Sequence, residues 1–174
     1  PQPKSDHIVM RTHDLKVWQE SEPVNFELHR GEILGVTGLD GHGQDDFVKI
    51  LAGVQDSYGG EVEIKNNNTF LKFNNLKEAK NSGISFVSGD RKKEGILPNL
   101  SIYENMVIPL YRTTSRGGFL GFINWLELNG MYEWELERLK IKAGLKSDLI
   151  TSLSGGNQQK VMIARSFAQH PKVL

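Results

Sequence analysis

The 174-residue chain balances 21 Lys and Arg against 21 Asp and Glu and contains no cysteine. This excludes a disulfide-stapled module and a cysteine-ligated zinc or iron–sulfur centre, and a zero charge balance lacks the basic footprint of a general nucleic-acid binder. Hydrophobic residues at 38% and charged ones at 24% fit a globular chain, and no apolar run approaches the ~20 residues of a spanning helix. Pro1-Gln2-Pro3-Lys4 has no apolar core and reads as a linker rather than a signal peptide.

Ile8-Val9-Met10 predicts a first strand, and Val24, Phe26 and Leu28 alternate with polar residues at strand period. Glu32 to Thr37 is a short apolar run of the fully buried strand type. The glycine turn Gly38-Leu39-Asp40-Gly41-His42-Gly43 then leads into a helix carrying Phe47, Ile50 and Leu51 on one face and stopped by Gly53. Gly59-Gly60 predicts a turn, Glu61 to Lys65 a half-exposed strand, Asn66 to Asn68 a loop, and Lys77 to Asn81 a short helix ended by Gly83. Ile84 to Val87 is a second buried-strand candidate, interrupted by the polar stretch Ser88 to Gly95, in which Arg91, Lys92 and Lys93 read as a solvated run. From Ser101 the pattern turns helical. Leu128, Tyr132, Leu136 and Leu139 share a face, with Glu133, Glu135 and Glu137 expected in solvent. A last helix starts near Ser154 and buries Val161, Ala164, Phe167 and Ala168. A strand-rich half, about 1–90, thus precedes a helical half, about 100–170.

Strand, glycine turn and helix are the setting of a phosphate-binding loop, because a helix start presents unpaired N–H groups and glycines admit a phosphate close to the backbone. Gly38 and Gly43 have the spacing of G-x-x-x-x-G-K-[ST], with Gly41 between them, but Gln44 and Asp45 stand where Lys and Ser/Thr belong. Gln44 brings no charge, while Asp45 and Asp46 bring the wrong one. At ~5 Å and an effective dielectric of ~20, each like-charge pair costs about 3 kcal/mol before solvent screening. Unassisted ATP hydrolysis at this loop is therefore expected to be poor. Two readings stand for the loop alone. It is a phosphate site, in which Asp45 would hold Mg²⁺, or a tight connection whose Asp45 and Asp46 stabilise the helix start.

A second glycine motif, Leu153-Ser154-Gly155-Gly156-Asn157-Gln158, opens the last helix behind a good N-cap residue. It resembles the signature motif of ATP-binding cassette ATPases. The longer string to Val161, with Ile163-Ala164-Arg165, resembles the second nucleotide-binding domain of fused simple-sugar importers of the ribose and galactose type. Gly31 to Leu39, the segment Gly89-Asp90-Arg91-Lys92-Lys93-Glu94-Gly95 and Glu104-Asn105-Met106 resemble further stretches of that domain, so the likeness covers about residues 6–174.

The resemblance implies an α/β fold: a phosphate-loop core of cassette type, an N-terminal antiparallel β subdomain and a helical signature subdomain. Residues 1–174 form a single partial nucleotide-binding domain, with a β-rich core over about 1–90, a helical subdomain over about 100–153, and the signature helix with a return to the core over 154–174. The strand bearing the Mg²⁺-binding Asp and water-orienting Glu would come after Leu174, so no catalytic residue is assigned. Two such domains face each other, and the nucleotide lies between the loop of one and the signature of the other. The implied ATP-binding residues are Trp18, stacking on adenine, then Gly38, Gly41, His42, Gly43, Gln44, Asp45 and Asp46, and on the other side Ser154, Gly155, Gly156, Asn157 and Gln158. Asp45 is the implied metal ligand. Gly89 stands where the family places a residue sensing the γ-phosphate, so ATP and Mg²⁺ are expected to bind weakly or not at all at this half-site. The aromatic stretch Ile102 to Trp125, with Tyr103, Tyr111, Phe119 and Phe122, corresponds to the subdomain whose groove receives a helix of the membrane subunits.

The function implied is the ATP-binding half of an importer that couples ATP binding and hydrolysis to sugar uptake, peripheral on the inner face of the cell membrane. The chain alone is expected to be inactive. Its implied partners are the other nucleotide-binding domain, membrane-spanning permease subunits and, indirectly, a sugar-binding protein, with no nucleic acid. The alternative is a non-hydrolysing pseudo-ATPase module that docks to a membrane or ATPase partner.

Overall fold

In the computed structural model, residues 5–111, 115–116 and 122–174 are described. The first three elements are β1 (Ile8–Lys16), β2 (Glu27–His29) and α1 (Gln44–Leu51). They are followed by β3 (Gly59–Asn66), β4 (Thr69–Lys72) and α2 (Leu76–Asn81). A four-stranded antiparallel sheet in the order β2-β1-β3-β4 organises this part. Met10 pairs with Ile64 and Thr12 with Val62 across β1 and β3. Met10, Leu15, Val62 and Ile64 are buried together with Phe47 and Ile50 of α1 and Ala79 of α2. Phe26 meets Phe47 edge to face at 5.7 Å. The β1–β3 register shifts between His13 and Lys16. There Gly60, at φ +76°, lies so close to the Asp14 carbonyl that a Cβ would collide with it. Only glycine fits that backbone and that approach.

β3 is less regular in burial than its alternation predicts, because Glu63 is buried between Val62 and Ile64. Arg11 lies 2.7 Å from its carboxylate, and a buried charge is tolerated only when paired. The strand predicted around Val24 to Leu28 is shortened to β2. The buried Thr12 hydroxyl donates to the Val24 carbonyl (2.9 Å) and accepts from the Phe26 amide (3.1 Å), diverting that amide from the ladder, and Val24 keeps only an isolated bridge to Leu15.

Two strand expectations fail. Glu32 to Thr37 joins no ladder. Ile33 is 97% exposed, and Leu34 and Val36 are also exposed. A buried strand needs neighbouring strands to pair its N–H and C=O groups, and among the described strands none pairs with this run. Ile84 to Val87 forms a single parallel bridge, Ile84 to Val173, although Ile84 itself is buried.

The chain divides into two compact units: residues up to Phe86 with Lys172–Leu174, and Val87–Pro171. The second unit begins with a single π turn, Arg91–Gly95, and continues with α3 (Ile102–Val107) and a 3₁₀ turn, Ile108–Leu110. The two-stranded pair β5 (Ser115–Arg116) and β6 (Phe122–Ile123) precedes α4 (Trp125–Arg138), the 3₁₀ turn Ile150–Ser152 and α5 (Gly155–Phe167). Ile102, Met106, Leu128, Tyr132, Ile150 and Val161 form its core. Tyr103 packs edge to face on Tyr132 at 5.2 Å. Ser101 and Glu104 form a capping box at the start of α3.

Leu128 and Tyr132 are buried on the predicted face of α4. Glu135 does not follow the solvent expectation. It is buried, and Arg138 Nη2 donates to it at 2.7 Å. Of the predicted aromatic stretch, Tyr103 is core and Tyr111 packs edge to face on the exposed Trp125 at 6.1 Å. Phe119 lies outside the described residues, and Phe122 is described by its backbone alone.

Candidate nucleotide-binding segments

The glycine loop belongs to the first unit. Gly41 (φ +81°) and Gly43 (φ +85°) adopt the left-handed backbone that lets the chain reverse before α1. The His42 amide closes the turn on the Leu39 carbonyl at 3.1 Å, and the His42 side chain faces solvent. Asp45 is exposed, and Asp45 and Asp46 both fall in the first turn of α1, where the helix dipole favours carboxylates.

The Gln44 side chain folds back on its own loop. Its Nε2 donates to the Leu39 carbonyl at 3.1 Å. Its Oε1 is buried without a partner and would stand 3.0 Å from a Cβ at Gly38. The side chain thus lies against the loop at the point where a phosphate cradle must stay open. Trp18, just past β1, rests against Gly43: a Cβ there would meet its ring at 2.9 Å. The indole Nε1–H donates to Asp46 Oδ2 at 3.1 Å. Trp18, Gly43 and Asp46 are therefore brought together and Gln44 folds onto Gly38 and Leu39, whereas Asp45 and His42 are exposed. No local pattern marks the Trp18–Asp46 bond, which joins residues 28 positions apart.

These residues do not fit a triphosphate with Mg²⁺. The loop holds an amide where it should hold a phosphate, carries two carboxylates and has no cation. Among the described residues no three His, Cys, Asp or Glu side chains gather to hold a metal. Mg²⁺ is usually held by one or two carboxylates with phosphates and water.

The signature segment belongs to the second unit. α5 opens at Gly155, with Ser154 at the N-cap position but not capping through its side chain. Ser154 Oγ instead accepts from Asn157 Nδ2 at 3.2 Å, and Asn157 Oδ1 accepts from the Lys142 amide at 3.2 Å. Gln158 is buried, and its Nε2 donates to the Ile150 and Leu153 carbonyls at 3.2 and 3.0 Å, so it fastens the helix start. Gly155 and Gly156 differ sharply. A Cβ at Gly155 would meet the Arg91 guanidinium at 2.5 Å, whereas one at Gly156 would meet nothing within 4 Å. Arg91 departs from the solvated run expected of it and its two lysine neighbours: its Nε is buried and without a partner. Gly89 lies open, with nothing within 4 Å of where a Cβ would stand.

The fold is that of an ATP-binding cassette ATPase. The solved dimeric cassette MJ0796, a bacterial ABC transporter cassette, superposes with a TM-score of 0.73 at 24% identity over 93% of this chain and 70% of its own. CbiO1 of Clostridium perfringens superposes with a TM-score of 0.72 at 18% identity over 95% of this chain and 63% of its own. The ABC transporter family model matches residues 21–174, and the chain belongs to that family. It is 37% identical over 155 residues to the ribose import ATP-binding protein RbsA 1 of Rhizobium meliloti, covering 89% of this chain and 30% of that protein. It is 35% identical over 156 residues to the arabinose import ATP-binding protein AraG of Pseudomonas fluorescens, covering 88% and 29%. The chain thus spans about 30% of the length of these relatives.

Proposed function

We infer that this chain is part of the ATP-binding subunit of a simple-sugar importer, within its second nucleotide-binding half. It works with the other nucleotide-binding domain, with membrane-spanning permease subunits and, through them, with a sugar-binding protein. It lies at the inner face of the membrane; none of its described helices is long and apolar enough to cross one. The names of the ribose and arabinose import relatives support the transport role, and the second-half assignment rests on the Gly89–Gly95 and Leu153–Val161 strings.

One observation carries the reading. The signature opens a 13-residue helix with Gly156 uncovered and the first amides free of side-chain caps, a surface suited to phosphate oxygens. That surface serves a nucleotide held by the facing domain. ATP with Mg²⁺ supplies the phosphoryl chemistry there. The loop of this chain contributes the weaker half-site, with Trp18 against the base and Gly38, Gly41, His42, Gly43, Gln44, Asp45 and Asp46 along the phosphate side.

The test uses the full-length subunit assembled with its permease. A Cβ at Gly156 meets nothing within 4 Å, so Gly156→Asp is expected to leave the domain's melting temperature unchanged. A carboxylate on the phosphate surface is expected to cut ATP hydrolysis and sugar uptake by about tenfold or more, a loss of at least ~1.4 kcal/mol of transition-state stabilisation. Unchanged uptake would overturn the assignment of this helix start.

A further inference from the structure

Two features of the glycine loop pull in opposite directions. The phosphate side is closed: Gln44 bonds the Leu39 carbonyl, and Asp45 and Asp46 already supply the negative charge that the start of α1 attracts. The base side is prepared. Trp18 is 39% exposed, one edge of its ring rests on Gly43, and among the described residues no ring or cation stacks on it. Its orientation is set by a hydrogen bond from Nε1 to a carboxylate, which is stronger than one to a neutral acceptor. A large aromatic face held in one orientation loses little freedom when a second ring stacks on it.

We propose that Asp46 is a positioning residue that locks Trp18 as a stacking platform, and that this half-site recognises the nucleoside part of its ligand and not the phosphates. The proposal rests on the reading of residues 38–46 as the nucleotide loop. Asp46 thereby fixes the base-binding ring at the expense of phosphate attraction. Affinity then does not climb from adenosine to ATP, and Mg²⁺ does not change it.

Calorimetric titration of the 174-residue chain with adenosine, AMP, ADP and ATP, each with and without Mg²⁺, tests this. The expected dissociation constants agree within about threefold across the series. Asp46→Ala and Trp18→Phe remove opposite ends of one hydrogen bond, and both are expected to weaken adenosine by about fivefold, while Asp46→Asn keeps an acceptor and retains affinity. The double change Gln44→Lys with Asp45→Ser is expected to restore preference for ATP over adenosine by about tenfold or more. ATP binding about tenfold tighter than adenosine to the unchanged chain would overturn the proposal and leave the nucleotide reading standing. Binding of none of the four would overturn both. An Asp46→Ala chain that melts normally and binds adenosine as before would overturn the lock.

Discussion

Asn105 shows how much one buried side chain can hold. Its Oδ1 accepts from the Leu97 amide at 2.8 Å, and its Nδ2 donates to the carbonyls of Leu97, Leu100 and Ser101 at 3.0, 3.3 and 3.0 Å. This amide replaces the secondary structure that the Leu97–Ser101 segment lacks. Asn105→Ala would take the acceptor from the Leu97 amide and a second donor from the Leu97, Leu100 and Ser101 carbonyls, at a cost of about 2 kcal/mol, measurable by denaturant unfolding. In the sequence Asn105 stands out only within Glu104-Asn105-Met106; its role as a knot is visible once its neighbours are placed. The candidate site divides in the same way. Gly43, Gln44 and the two aspartates are legible from spacing, and their electrostatic conflict is legible from charge alone. That Gln44 reaches back to Leu39, that Asp46 ties Trp18, and that Arg91 lies over Gly155 depend on contacts that no local pattern encodes.

At the scale of elements, legibility follows local chemistry. α1, α2, β3 and α5 begin and end close to where their apolar periods and glycines put them. β4 has no such signal, because Thr69–Lys72 is short and carries no clear alternation; it is a strand because β3 offers it a ladder and Asn67, at φ +53°, turns the hairpin. The capping box of α3 is likewise written in the chain as Ser101-x-x-Glu104. Ser101→Ala is expected to cost about 1 kcal/mol, read as a lower midpoint of thermal unfolding. The packing of α3 against α4 makes a second prediction. Burial, together with Glu133 and Asp148, raises the Tyr132 phenol from 10.0 to about 12. The folded state therefore favours the neutral phenol: its stabilisation is complete below pH 10 and is lost as pH rises towards about 12. Equilibrium unfolding of the chain should weaken across that window, and Tyr132→Phe should flatten the decline.

For the molecule as a whole, the exposed run Ile33, Leu34 and Val36 is the clearest conflict between pattern and structure. Its composition is that of a strand covered on both faces, and such a stretch left open invites pairing with another chain. The 174-residue chain is expected to self-associate with rising concentration, and Ile33→Lys to reduce that association, as read by sedimentation velocity. A monomer at all concentrations would show that the run is tolerated uncovered.

The bridge between Ile84 and Val173 has a different consequence. The Ser85 amide donates to the Val173 carbonyl at 2.9 Å, and the Lys172 amide donates to the Gly83 carbonyl at 2.7 Å. The backbone therefore leaves for the helical unit and comes back at one point, as a road leaves a roundabout by adjacent lanes. Closing so long a loop costs little more than closing a short one, since the entropy grows only with the logarithm of length. Everything from Val87 to Pro171 is then separable in principle as a cassette within a cassette. Expressed by itself, that stretch is expected to unfold in one cooperative step with helical circular dichroism, because its described core cluster, from Ile102 to Ala168, lies within it.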